Sequence, residues 1–163
     1  MKPSPLDHVL RHNTWATGAL IEFCGTLGAS KLDTNALGTY GTLYGTLQHL
    51  VGAEQWYAEL LTGEILGRRI RRTDAPHSLD ELITIAAATG ARLLEVAGSD
   101  DPARVIVTNE RRSTVGVVLA QVVHHGNEHR TQATTILGAN GTEPPALSAW
   151  AYGRAMKIST TEE

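Results

Sequence analysis

The sequence predicts an all-α protein: a four-helix bundle with a short C-terminal helix. Three observations carry this. Four long segments repeat apolar residues at helical spacing, each is bracketed by start and stop residues, and only one short β-branched run competes with them. The first segment spans about Ser4–Leu27. Leu6, Leu10, Asn13, Thr17, Leu20, Cys24 and Leu27 share a face, and Gly28 follows as a stop. The second spans about Tyr40–Thr62, with Leu43, Leu47, Leu50, Tyr57 and Leu61 as its stripe and Gly63 after it. The third opens with Ser78-Leu-Asp-Glu81, a capping box in which each side chain serves the other residue's amide, and runs to about Ala97 before Gly98. The fourth runs from Ser113 or Thr114 to Leu137, before Gly138, with Val115, Val118, Leu119, Val122, His129, Ala133 and Ile136 facing inward.

The connections are predicted to differ in character. Residues 28–39 and 63–77 read as polar loops. Arg104-Val-Ile-Val-Thr108 reads as an extended crossover or a small hairpin arm, so the third and fourth helices are joined by a long crossover. Pro144-Pro145 bars continuation of the fourth helix, and 146–156 fits a short last helix.

The chain's 163 residues fit one domain, 1–163, with a core of its own. Apolar residues make up 42% and charged residues 19%, a globular balance. A net charge of −3 points to neither a nucleic-acid partner nor an anionic membrane. Gly, Thr, Gln or charged residues interrupt each apolar run before membrane-spanning length, and the N-terminus has no apolar signal core. The lone Cys24 permits no intramolecular disulfide. Together these features predict a cytoplasmic protein.

The chemistry concentrates in histidines. His125 and His129 are four apart, so on a helix both imidazoles leave one face. At about 100° per residue, His129 falls in the middle of the fourth apolar stripe, His125 on its edge, and His124 on the opposite side. His49, on the flank of the second stripe with Ala53, Trp56 and Leu60, can approach the same point if the two helices are neighbours. Three imidazoles would hold a divalent metal and leave coordination positions open, as catalytic sites do. The competing reading is three hydrogen-bonded core histidines. His8 projects opposite its helix's stripe and reads as solvated, His12 lies nearer the flank, and His77 reads as a surface residue.

Other sites are excluded or weak. A di-iron carboxylate bundle needs Glu-x-x-His on two helices, and no such tetrapeptide occurs. The zinc-protease motif and Gly-rich phosphate loops are also missing. The basic run Arg68-Arg69-Ile70-Arg71-Arg72 reads as a solvated loop, with an anion contact as the minority reading. Cys24 reads as a buried, inert thiol.

Three stretches resemble the DinB/YfiT-like family of metal-binding four-helix-bundle proteins: His12-Asn-Thr-Trp-Ala16, Thr46-Leu-Gln-His-Leu-Val-Gly-Ala-Glu-Gln-Trp56, and Val123-His-His-Gly-Asn-Glu-His-Arg-Thr-Gln132. The ending Gly138 … Trp150-Ala-Tyr152 also fits. The resemblance implies an up-down-down-up bundle, often a homodimer. It implies a divalent metal, commonly nickel or zinc, on His49, His125 and His129. Thr131 and Glu128 depart from the family's common Gly and His, and neither is a presumed ligand. Some relatives use the metal to activate mycothiol, bacillithiol or glutathione for transfer or isomerisation.

Three neutral imidazoles leave the metal's full positive charge in place, so a bound thiol would lose its proton and bound water would be acidified. The nucleophile is then a metal-bound thiol or water. Around the ligands, Gln132 is placed to orient a ligand, Asn13 to complete the surroundings, and Arg130 to meet an anion at the rim or a structural carboxylate. Trp15, Trp56, Trp150 and Tyr152 are expected to line the cleft. Three functions remain: a metal-dependent thiol transferase or isomerase, a non-catalytic, stress-associated dimeric metal-binding bundle, and a metal-free interaction protein.

Overall fold

Each long helix begins where a side chain can take up the free amides of its first turn. The computed structural model describes residues 3–71, 75–108 and 112–160. Ser4 and Asp7 form a capping box at the start of α1 (Pro5–Gly25), and a four-residue helix, α2 (Ala29–Leu32), follows. Thr42 Oγ1 accepts the Gly45 amide, 3.0 Å, and opens α3 (Leu43–Thr62). Ser78 and Glu81 form the predicted box at the start of α4 (Leu79–Ser99). Strands β1 (Val105–Val107) and β2 (Arg112–Thr114) pair antiparallel, with Ile106 opposite Ser113. Thr114 caps α5 (Val115–Ala139), and Ser148 caps α6 (Ala149–Ala155).

Several predicted boundaries move for local reasons. The second long helix starts at Leu43, not Tyr40, because Thr42 supplies the cap; Tyr40 lies in the turn before it. Gly28 caps the start of α2 rather than the end of α1, and the loop predicted there contains that short helix. Gly63 does end α3, at φ +77°, a conformation that glycine adopts without strain. Gly98 and Gly138 lie inside their helices.

The direction of the helices follows from which residues meet. Thr14 of α1 lies against Gly90 of α4 and Gly25 against Leu79, so these two are antiparallel. Asn13 lies against Gly126, while Leu20 shares a core cluster with Ile136, so α1 and α5 are parallel. Leu47 packs in a cluster with Leu82, and Ala58 in another with Leu93, so α3 and α4 are also parallel. The order is up-down-down-up.

A parallel α3–α4 pair requires a return along the bundle. Gln55 of α3 fastens that return: its Nε2 donates to the Leu66 and Arg68 carbonyls, and its Oε1 accepts the Ile70 amide, 2.9 Å. Farther up, Tyr44 Oη donates to the His77 carbonyl, 2.8 Å. The β-branched run forms the hairpin that carries the chain from α4 to α5; its Ile106 is buried in the core, and Arg104 Nη2 donates to the Leu61 carbonyl. By length and composition α4 could cross a membrane; here it packs between α1 and α3.

The core has two apolar ends and a polar middle. Leu20, Leu43, Leu47, Leu82 and Ile136 fill one end, and Tyr57, Leu93, Val118 and Val122 the other. Between them lie the buried Asn13, Thr17, Glu54, Thr89, His125, His129 and Arg130. Contact at this level is close. A Cβ on Gly90 would stand 2.0 Å from Thr14 Oγ1, so Gly90→Ala forces α1 and α4 apart. We expect a loss of about 1–3 kcal/mol in urea unfolding; an unchanged midpoint would show that Thr14 simply turns away.

Candidate metal centre

Antiparallel packing of α3 on α5 brings three histidines to one point. His49 comes from the middle of α3, and His125 and His129 come from adjacent turns of α5. One ligand nitrogen from each lies within 4.8 Å of the others. The Nε2 atoms of His49 and His125 face each other at 3.2 Å. Two imidazoles on one tetrahedral metal would place their nitrogens about 3.3 Å apart, given metal–nitrogen bonds of about 2.0–2.1 Å. The donor set therefore fits a divalent ion.

The protonation states fit as well. Burial, reinforced by His129, holds the His49 pKa below the usual histidine range. Burial and the neighbouring His129 and His49 press His125 down to about 4. Both rings are thus neutral near pH 7 and can offer lone pairs. His125 Nδ1 is buried without a hydrogen-bond partner.

Gln132 orients His129. Its Oε1 lies 3.0 Å from His129 Nδ1, and an amide oxygen can only accept, so Nδ1 carries the proton and Nε2 is free to ligate. The same oxygen accepts the Tyr40 amide, 3.1 Å. Tyr40 in turn stacks on His49, centroids 3.9 Å apart and 12° from parallel, and meets His129 edge-on at 5.5 Å. One amide oxygen thus ties His129 on α5 to the loop that covers His49 on α3. Gln132→Leu is expected to weaken metal binding about 10- to 100-fold while leaving helix content intact. Unaltered affinity would mean that His129 needs no orienter.

The other predicted neighbours lie elsewhere. Asn13 serves the polar middle: its Nδ2 donates to Glu54 Oε1, 2.8 Å, and its Oδ1 accepts from Arg130 Nη1, 2.8 Å. Arg130 also donates to Thr17 Oγ1 and is 5% exposed, so it stands in the bundle and not at a rim. Burial raises the Glu54 carboxyl to about 7, against the opposing pull of Asn13 and Arg130. Gly126 permits this crossing, since a Cβ there would stand 2.3 Å from Asn13 Oδ1.

A cleft of about 530 Å³ opens beside the histidines, walled by Tyr40, Trp56, Tyr57 and Ile70. Of the four residues expected to line it, Trp56 alone does. Trp15 and Tyr152 pack with His12 between α1 and the tail, where His12 Nε2 donates to the Leu147 carbonyl, and Trp150 is exposed. The last helix packs on α1, and these rings meet there rather than at the site.

His77, expected at the surface, is 2% exposed, because Tyr44 draws its backbone onto α3. His8 and His124 are exposed, and Cys24 is buried with its thiol pushed up to about 11 by desolvation. In the basic run, Arg68 pairs with Glu81 and Arg69 with Glu59, while Ile70 turns into the cleft; Arg72 lies outside the described residues. The sequence reading missed Tyr40, Tyr57 and Glu54 as members of the site and its support. Thr42 as a cap was the available signal for Tyr40, since it leaves that residue in a turn three positions ahead of the helix.

The sequence matches the DinB family over residues 1–162. Among solved structures it is similar to a DinB-like protein from Bacillus cereus ATCC 10987, with a TM-score of 0.65 at 18% identity, covering 83% of this chain and 91% of that one. Among curated proteins none matches it.

Proposed function

The chain belongs to the DinB family, and from that premise we propose that it is a metal-dependent enzyme that activates a low-molecular-weight thiol for transfer or isomerisation. The observation that carries this reading is the convergence of His49, His125 and His129, the first two of which line an open cleft. A closed structural metal site would enclose all its ligands; this one adjoins space for a small molecule. A divalent ion there, nickel or zinc by family likeness, would supply Lewis acidity that favours the thiolate over the thiol at neutral pH.

The chain's own groups have separable tasks in this reading. His49, His125 and His129 hold the ion as neutral donors. Gln132 fixes the His129 tautomer, and Tyr40 covers His49 and screens that side from water. A homodimer in a cytoplasmic setting completes the proposal. Val9, Trp150 and Ile158, which expose apolar surface around one hollow, support the dimer.

The test begins with untagged protein, metal analysis and His49→Ala as control. It continues with mycothiol, bacillithiol and glutathione, each offered with a panel of electrophiles, and thiol loss as readout. Metal-dependent thiol consumption that disappears in His49→Ala is expected. Metal uptake without consumption of any thiol would favour the non-catalytic, stress-associated metal-binding bundle. Failure to take up any divalent metal would overturn the site itself.

A further inference from the structure

The cleft wall says what kind of molecule would reach the metal position. Among the described residues, no Lys, Arg, Asp or Glu lines the cleft. Its large side chains are Tyr40, Trp56, Tyr57 and Ile70. Trp56 is 43% exposed and Tyr40, although stacked on His49, 48% exposed, so both rings keep open surface in one concavity. Apolar surface gathered in a hollow, with a few polar groups converging at one end, is the pattern of a small-molecule site.

The floor of the hollow is cut by small residues. His49, Gly52, Ala53 and Trp56 follow one another along one face of α3. Gly52 lets the return segment lie close: a Cβ there would come within 2.9 Å of Ile70 Cγ2. Between the Trp56 ring and His49 the helix itself contributes only the small Gly52 and Ala53 to the cleft, and Ile70 packs over Gly52 as the facing wall. Seven residues of α-helix span roughly 10 Å, the length of a ring joined to a donor group.

Resting on the metal reading above, we propose that the cleft selects an uncharged, ring-bearing ligand whose donor atom fills an open metal position while its ring lies against Trp56 and Tyr40. Such a ligand buries apolar surface against both rings. A carboxylate placed in the same hollow would lose water and find no cation among the described lining residues. Thiols with several free carboxylates are then poor fits, and neutral aromatic or glycosidic bodies are good ones.

The probes are imidazole, 4-phenylimidazole and 4-(imidazol-4-yl)benzoate, titrated calorimetrically into cobalt(II)-loaded protein, with cobalt uptake measured first. Phenylimidazole is expected to bind about tenfold more tightly than imidazole, from the ring's burial, and the benzoate should lose most of that gain. In Trp56→Ala the gain should shrink to under about twofold, and Trp56→Phe should restore most of it. Circular dichroism and cobalt uptake establish that each variant is folded. Equal affinities for imidazole and phenylimidazole, or tightest binding by the benzoate, would overturn the proposal and leave the metal site standing. No cobalt uptake would overturn the metal reading and this proposal with it.

Discussion

His125→Ala should lower divalent-metal affinity by at least about 100-fold. Truncating a residue that merely orients a ligand costs about 10- to 100-fold, and His125 is itself one of the three proposed donors. Its Nε2 faces His49 Nε2 at 3.2 Å, so its removal leaves only His49 and His129 to hold the ion. The fold should survive, because His125 lies at the edge of the cleft and its Nδ1 makes no hydrogen bond. Competition with a chelating dye, with helix content followed in parallel, reads both quantities. A variant that keeps native metal affinity would remove His125 from the donor set and return it to the role of a core histidine.

Arg130→Met is the most damaging change expected for stability. Arg130 is buried where Asn13, Thr17 and Glu54 meet, and it donates to the first two. Methionine fills the space but leaves Asn13 Oδ1 without its donor and Glu54 without the cation that favours its charged form. Breaking a buried charged network from one side costs about 3–5 kcal/mol. Equilibrium unfolding in urea measures it, and a loss below about 1 kcal/mol would mean that the network contributes little.

The same network sets a pH dependence. Glu54 has its carboxyl raised from 4.5 to about 7, chiefly by burial. The folded state therefore holds a proton that the unfolded chain has released between those values, and stability falls as pH rises through that window. The full loss, reached above pH 7, is on the order of 3 kcal/mol. Glu54→Gln cannot titrate, so its stability relative to the native protein should improve from pH 5 to pH 8. Parallel profiles would show that Glu54 ionises normally.

Much of this architecture was legible because helices report themselves locally. The Ser78–Glu81 box, the Gly63 stop and the apolar stripes depend on residues within one or two turns, and the structure keeps them. The inward direction of His125 and His129, and the outward direction of His124, follow from angular position on one helix alone. Family likeness supplied the up-down-down-up order, which spacing left open. Placements set by a distant segment are not legible in this way. Tyr40 lies in a turn, His77 is buried, and Trp15 and Tyr152 pack away from the cleft, each against the expectation, because each depends on where a distant segment lies.

The sequence alone determines where the helices run, how they are capped and which histidines face the interior, since these follow from backbone periodicity and near neighbours. The meeting of those histidines is decided by the packing of α3 against α5, which sets His49 beside residues 76 and 80 positions farther along. So is the division of labour around them, with Gln132 and Tyr40 serving the histidine cluster and Asn13, Glu54 and Arg130 the polar middle. Hydrogen bonds and ring contacts act over a few ångströms, and only the packed bundle brings such distant residues within that range.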